Sequence, residues 1–200
     1  MDWSLIVLSF ALIFPVELPD KTFVAALVLS TRYQPLAVWF GVGLAFGVQT
    51  LIAVTAGHAV TYLPPWVVSG VSIVLFLAGA VVLLRTAPLA DQAEQEHEES
   101  FAARAAPERG GWHAVLASFG VLFAAEWGDL SQILTLNLVA EFGSPVSVFV
   151  GAWAALLAVS GLAVVVGKVL LRHVRLSLLH YLAAGVCLVL AVSAMIRLAT

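Results

Sequence analysis

Charged residues are scarce in this sequence. Only 10% of its 200 residues are Asp, Glu, Lys or Arg, whereas 62% are hydrophobic. Soluble domains carry about 25% charged residues. A water-soluble protein of this length has no core large enough to hide so much apolar surface. The composition therefore predicts an integral membrane protein.

Cysteines and basic tracts are lacking as well. The single cysteine, Cys187, lies in a hydrophobic run, which excludes an intramolecular disulfide framework and a metal site built from cysteines. The formal net charge is -3, and no run of Lys and Arg suggests nucleic-acid binding. The N-terminus reads Met1-Asp2-Trp3 and has no positive n-region of a signal peptide. We therefore take the first hydrophobic segment as part of the folded protein.

Six hydrophobic segments are long enough to cross a bilayer, which takes about 20 residues of helix. They are 3–31, 36–60, 66–84, 114–140, 145–171 and 176–198. The long polar stretch 87–111, rich in Glu, reads as a solvated linker. The sequence thus predicts an all-α membrane protein of six transmembrane helices. A first three-helix unit (1–86) and a second one (112–200) would be joined by this acidic linker.

The positive residues predict the orientation of the chain. Six spans place both termini on one side of the membrane, where Arg197 is the one Lys or Arg near a span end. The opposite side carries Arg32, Arg85, Arg104, Arg109, Lys168, Arg172 and Arg175. By the positive-inside rule that side is cytoplasmic. The linker 87–111 is then cytoplasmic, and both termini face outward.

The two halves contain related motifs. The stretch from Glu17 to Thr22 aligns with the stretch from Glu126 to Ser131, and Gly41 matches Gly151. Each half has three spans, an odd number, so the second half inserts upside down relative to the first. Inverted repeats are typical of secondary transporters, with the binding site near the membrane midplane, although some inverted-repeat proteins are channels.

Four carboxylates lie deep in the predicted spans: Glu17, Asp20, Glu126 and Asp129. A charge at such a depth costs about 2.5–3.5 kcal/mol, so these residues face the protein interior or water and mark a functional site. In each motif the two acids are three residues apart, which predicts one shared helix face. Because the inverted repeat would bring the two motifs face to face, the two pairs would form one cluster of four carboxylates.

Such a cluster is suited to exchanging a cation for protons. When empty it would be largely protonated, because repulsion between like charges and a low dielectric both oppose ionisation. A divalent cation would displace those protons. Oxygen ligands favour Ca²⁺, Mg²⁺ or Mn²⁺ over Zn²⁺ or Cu⁺. Thr22, Ser131 and Gln132 offer neutral oxygens nearby, and Lys21 lies four residues after Glu17, where it could pair with that acid.

Helix-breaking residues accompany both motifs. Pro15, Pro19 and Gly128 interrupt the predicted helices. Such breaks are tolerated in a membrane where the freed carbonyls line a cavity, so these carbonyls are further candidate ligands. In the simpler alternative, the prolines only bend a long first helix.

The motifs Glu17-x-x-Asp20-Lys21-Thr22 and Glu126-x-Gly128-Asp129-x-Ser131 resemble the paired Glu-x-Gly-Asp-(Lys/Arg)-(Thr/Ser) signatures of the Gdt family. That family contains Golgi cation/proton exchangers and bacterial Mne-type manganese exporters, and is related to the lysine-exporter superfamily. The resemblance implies transport of Mn²⁺ or Ca²⁺ coupled to protons, with the motif acids as ligands. Two departures stand out: Pro19 replaces a glycine, and Leu130 replaces a basic residue. The second leaves the cluster about one charge more negative.

Three functions remain open at this point. The leading hypothesis is a secondary antiporter in the cytoplasmic (inner) membrane of a bacterium, which exports Mn²⁺ or Ca²⁺ in exchange for protons. The runner-up is a transporter of the same fold for another cation or an amino acid. A distant third is an intramembrane enzyme that uses the paired carboxylates, although no nucleophile or histidine partner accompanies them. No prosthetic group is expected.

Several polar or small residues within the spans have ordinary alternatives to a functional role. Gln49 and Asn137 either supply site oxygens or form interhelical hydrogen bonds. His58 is more typical of an interfacial histidine than of a proton relay. Gly43-x-x-x-Gly47 permits close helix packing, and packing within one monomer explains this motif better than dimerisation does. Whether the protein forms a homodimer stays an open question.

Overall fold

The computed structural model describes residues 1–18, 21–89, 99–101, 103, 111–173 and 176–199. Within them the main elements are eight α-helices and one short 3-10 helix, Ala87–Leu89, and no β-strand is found. The α-helices are α1 (Trp3–Glu17), α2 (Lys21–Arg32), α3 (Pro35–Val60), α4 (Pro65–Thr86), α5 (Trp112–Ala125), α6 (Leu130–Phe142), α7 (Pro145–His173) and α8 (Leu176–Ala199). The predicted all-α class is confirmed.

Three stretches are long and apolar enough to cross a membrane alone: Pro35–Val60, Trp66–Leu89 and Pro145–Val165. Two bent pairs, α1 with α2 and α5 with α6, raise the number to as many as five if each pair forms one span. The apolar part of α8, His180–Ile196, is shorter. The described helices therefore support three to five of the six predicted spans.

The predicted first and fourth spans are each broken rather than continuous. In both pairs the helix axis turns by 74°. In the second pair, Gly128 has a φ of 79°, which an α-helix of L-residues cannot continue through. The chain restarts at α6, where the Asp129 carboxylate accepts a hydrogen bond from the backbone N–H of Ser131 at 3.3 Å.

Helices α3 and α7 pack antiparallel in the centre of the protein. The Trp39 indole N–H donates to the Leu157 carbonyl at 3.0 Å, and the Trp153 indole N–H donates to the Gly43 carbonyl at 2.9 Å. A Cβ at Gly47 would lie 3.2 Å from the Trp153 indole nitrogen. The Gly43-x-x-x-Gly47 pattern thus serves packing within one chain.

Contacts between the two halves come in matched pairs. Gly41 of α3 lies directly against the carbonyl of Val115 in α5, and Gly151 of α7 lies against the carbonyl of Ile6 in α1. A Cβ at either glycine would overlap the carbonyl oxygen, so both helix crossings require a residue without a side chain. The pairing follows the alignment that the sequence predicts for Gly41 and Gly151.

Aromatic pairs repeat in the same way. Phe10 stacks on Phe14 in α1 with ring centroids 5.5 Å apart, and Phe119 stacks on Phe123 in α5 at 5.4 Å. Each pair precedes the motif acid of its own half. The helix that leads to the motif is therefore built alike in both halves.

The third helices of the two halves, α4 and α8, pack along each other. Cys187 of α8 lies beside Gly79 of α4, where a Cβ would be 3.7 Å from the Cys187 sulfur. Helix α4 also contacts α6, and α8 also contacts α1.

The linker 87–111 is not solvated throughout. Ala87 is 0% exposed, and Phe101 is 3% exposed and belongs to the hydrophobic core. The prediction of a solvated linker therefore does not hold for these two apolar residues, whose side chains are buried. The acidic run from Asp91 to Glu98 lies outside the described residues.

Candidate functional site

The acidic site lies where the two broken helices come together. Glu17 ends α1, Glu126 follows α5, and Asp129 caps the start of α6. One carboxylate oxygen from each of the three lies within 4.8 Å of the others. The structure therefore brings together three of the four predicted acids from both halves of the chain.

The fourth predicted acid, Asp20, lies outside the described residues, as does Pro19. The cluster of four carboxylates remains a prediction at that position.

The prediction that each pair of acids shares one helix face is wrong for the second motif. Glu126 and Asp129 lie on either side of the break, because the left-handed backbone at Gly128 ends the helical course between them. The turn, rather than the helical period, places the two carboxylates at the same site.

Two of the carboxylates are deeply buried. Glu17 is 0% and Glu126 is 2% exposed, whereas Asp129 is half-buried. Among the described residues, none makes a well-formed hydrogen bond to the carboxylate oxygens of Glu17 or Glu126, although the Thr22 hydroxyl lies near both. Buried carboxylates without donors are unstable as bare anions, so they need either protons or a cation.

A positive charge from the first motif meets an acid of the second. The Lys21 ammonium lies 4.0 Å from a carboxylate oxygen of Glu126. The spacing within the first motif had suggested Glu17 as the partner of Lys21. The contact to Glu126 crosses between the halves, and it depends on how the repeats are placed in space.

Gln132 holds the break between α5 and α6 in shape. Its side-chain amide donates to the Glu126 carbonyl at 2.6 Å, and its side-chain oxygen accepts from the Gly128 backbone N–H at 3.3 Å. The sequence suggested Gln132 as a source of a ligand oxygen. In the structure both ends of the side chain are engaged with the backbone of the turn.

The two hydroxyl residues of the motifs both lie at the site. Thr22 is 0% exposed, and its hydroxyl has no hydrogen-bond partner within the described part of the chain. Ser131 is 5% exposed, and its hydroxyl donates to Asp129 at 3.3 Å. Thr22 is therefore the better placed of the two to offer a neutral oxygen.

Gln49 and Asn137 each form a hydrogen bond to another helix. The Gln49 amide donates to the Phe123 carbonyl at 3.1 Å, and the Ser72 hydroxyl donates to the Asn137 side-chain oxygen at 2.7 Å. Both are interhelical hydrogen bonds, as one of the two interpretations predicted. His58 is exposed and packs edge-on to Tyr62.

Comparison with known proteins identifies a family for this chain. The family model described as "Divalent cation/proton antiporter GDT1" matches residues 5–91 and 114–200, that is, both halves without most of the linker. No solved structure matches.

Related proteins span most of the chain. A GDT1-like protein of Synechocystis is 34% identical over 85% of this chain and 89% of its own length. A Vibrio cholerae protein named "Putative manganese exporter" is 30% identical over 95% of this chain and 90% of its own length. The chloroplastic protein PAM71 of Arabidopsis thaliana is 31% identical over 92% of this chain and 54% of its own length. The chain belongs to the GDT1 family of divalent cation/proton antiporters.

Proposed function

We propose that this protein exports Mn²⁺ from the cytoplasm in exchange for protons, with Ca²⁺ as the alternative cargo. The observation that carries the proposal is the meeting of Glu17, Glu126 and Asp129 within 4.8 Å in the interior of an apolar helical protein. Three carboxylates match the oxygen-rich sites that Ca²⁺ and Mn²⁺ prefer. Manganese is placed first because one relative carries that metal in its name.

The exchange follows from competition for the same oxygens. Glu17 is buried without a donor, so it needs a proton when no cation is bound, whereas the Lys21 ammonium 4.0 Å from Glu126 compensates part of that second charge. A divalent cation needs the deprotonated carboxylates as ligands, so its binding releases protons. We expect Asp20 to complete the cluster and Thr22 to add a neutral oxygen.

The two C-terminal helix ends at the site also favour a cation. Glu17 stands at the C-terminal end of α1, and Glu126 directly follows the C-terminal end of α5. Carbonyl groups at such ends carry partial negative charge and lack partners within their helix. Broken helices that point carbonyls at a cation are a recurring feature of secondary transporters.

We further propose that residues 1–86 and 112–200 form two inverted repeats of three spans each. The matched crossings at Gly41 and Gly151 and the matched Phe pairs support this arrangement. With the linker 87–111 in the cytoplasm, both termini lie outside the inner membrane. Alternate exposure of the acidic cluster would then come from movement of one repeat against the other.

Proton release in proteoliposomes tests the function. Protein reconstituted with a pH-sensitive dye inside is exposed to Mn²⁺, Ca²⁺, Mg²⁺ or Zn²⁺, with empty liposomes as the control. We expect proton movement opposite to cation uptake, with Mn²⁺ acting at the lowest concentration. Equal movement with no cation, or none with any divalent cation, would contradict the proposal. An amino-acid cargo, or catalysis in the membrane, would then be the next hypothesis.

A further inference from the structure

A cavity of about 410 Å³ lies between α1, α4, α6 and α8 and reaches the acidic site. Gly128 and Asp129 line it at the level of Gly79, where Leu130 packs closely on α4. A Cβ at Gly79 would lie 2.8 Å from the Leu130 side chain, so α4 and α6 are in close contact at this level.

The cavity extends from this level toward the linker. Thr86, in the last turn of α4, lines it seven residues beyond Gly79, a rise of about 10 Å along a helix. His180, near the start of α8, lines it as well. The antiparallel register set by Gly79 and Cys187 brings Thr86 and His180 to the same level. The linker 87–111 begins directly after Thr86.

Asp129 is the acid through which the cluster meets this cavity. Glu17 and Glu126 are closed off at 0% and 2% exposure, whereas Asp129 is half-buried and lines the cavity wall. A carboxylate at membrane depth needs water or a cation beside it. Water therefore suits this cavity better than a lipid chain, although several of its walls are apolar.

The volume suits a hydrated ion. At about 30 Å³ for each water, the cavity holds roughly a dozen waters. That is enough for a divalent cation with most of its hydration shell. The apolar side chains of Leu75, Val82 and Ile133 in the walls offer no ligands, so they would not hold the ion on its way to Asp129.

We propose that this cavity is the passage through which the hydrated cation moves between the linker side of the membrane and the acidic cluster. Asp129 is the first acid that the ion meets, and Thr86 and His180 form the mouth. The inference rests on the proposed cation exchange, and it adds the route and the side from which the site is reached.

Cysteine accessibility tests the passage. In a Cys187→Ala background, Ala78→Cys places a thiol on the cavity wall and Thr86→Cys places one at the mouth. Leu77→Cys is the matched control, because it lies next to Ala78 on α4 at nearly the same depth but is not part of the cavity lining. Glu99→Cys marks the linker side.

Each variant reacts with a positively charged, membrane-impermeant methanethiosulfonate in right-side-out and inside-out vesicles, and Mn²⁺ exchange is measured before and after. We expect Ala78→Cys and Thr86→Cys to react from the same side as Glu99→Cys. Their rates should exceed that of Leu77→Cys at least ~10-fold, since thiols in apolar surroundings rarely ionise to the reactive thiolate. Reaction at Ala78→Cys should then block exchange.

Two results would overturn the inference, and they differ in whether the proposed cation exchange fails as well. If variants that exchange Mn²⁺ show equal rates for Ala78→Cys and Leu77→Cys, or reaction from the opposite side, the passage is wrong and the antiport stands. If Ala78→Cys reacts quickly but neither it nor the wild type exchanges any cation, the proposed function fails and the role of the passage with it.

Discussion

Lys21 and Leu130 hold matching places in the two motifs but have different surroundings. Lys21 brings its ammonium to 4.0 Å from Glu126 of the other half. Leu130 packs on Gly79 and lines the cavity. The site therefore has one cationic side chain from the first motif and an apolar one at the matching place of the second, as the departure at Leu130 predicts.

Removing the charge of Lys21 should tighten cation binding. Two charges 4 Å apart interact by about 1–4 kcal/mol between bulk water and a protein surface, so Lys21→Met should lower the half-saturating Mn²⁺ concentration by about tenfold. The maximal exchange rate should fall, because the ion then leaves more slowly. The half-saturating Mn²⁺ concentration and the maximal rate in the liposome assay measure these two effects.

The matched control for this charge is Lys21→Arg, which keeps the positive charge and should keep the wild-type half-saturation. If Lys21→Met and Lys21→Arg behave alike, the charge of Lys21 does not act on the ion.

At the residue scale the acids were predictable and their neighbours' roles were not. Glu17 and Asp129 stand out because an ionisable residue in an apolar run is costly and needs a reason. The double hydrogen bond of Gln132 and the contact from Lys21 to Glu126 depend on the fold of the turn and on the meeting of the halves. Neither follows from spacing along one helix.

At the scale of the elements, the break between α5 and α6 builds the site. Hydrophobic composition runs through residues 114–140 almost without interruption, so it predicts one helix there. Gly128 is the local signal of the break, and its φ of 79° explains why glycine occupies this place. The predicted helices lie at the expected places, and Gly128 correctly predicted an interruption there, but the angle of 74° could not be read from the sequence.

Substituting Gly128 should disturb this break. An L-residue in the left-handed region costs about 1–2 kcal/mol, so Gly128→Ala should lower the thermal midpoint and reduce Mn²⁺ exchange. Gly120→Ala, inside α5 with open space around its Cβ, should leave both unchanged or slightly raise the midpoint. Equal behaviour of the two variants, measured by thermal unfolding in detergent and by flux, would rule out a special role for the turn.

At the scale of the whole molecule, the two halves meet through reciprocal crossings. Gly41 packs on α5 and Gly151 packs on α1, and each glycine faces a backbone carbonyl that cannot move without moving its helix. The odd number of predicted spans in each half gave the sequence basis for expecting inverted units. The number of spans does not indicate which face of each helix contacts the other half.

The reciprocal crossings predict matched effects of substitution. Gly41→Ala and Gly151→Ala should each destabilise the protein by a similar amount, about 1–3 kcal/mol for an overpacked contact. Gly185→Ala in α8, where a Cβ has open space, is the control and should be neutral. Thermal unfolding of the three variants measures this. A large loss for only one of the two crossing glycines would count against equivalent halves.

The acidic site links all three scales, because each half contributes acids to one cluster. The most direct test measures Mn²⁺-driven proton release in proteoliposomes for the wild type, Glu17→Gln, Asp129→Asn and, as the control for acid-to-amide exchange, Glu99→Gln in the linker. We predict that Glu17→Gln and Asp129→Asn each abolish the proton release while the folded protein is retained, and that Glu99→Gln exchanges like the wild type. Full exchange by either site variant would contradict a shared cation site built from both halves.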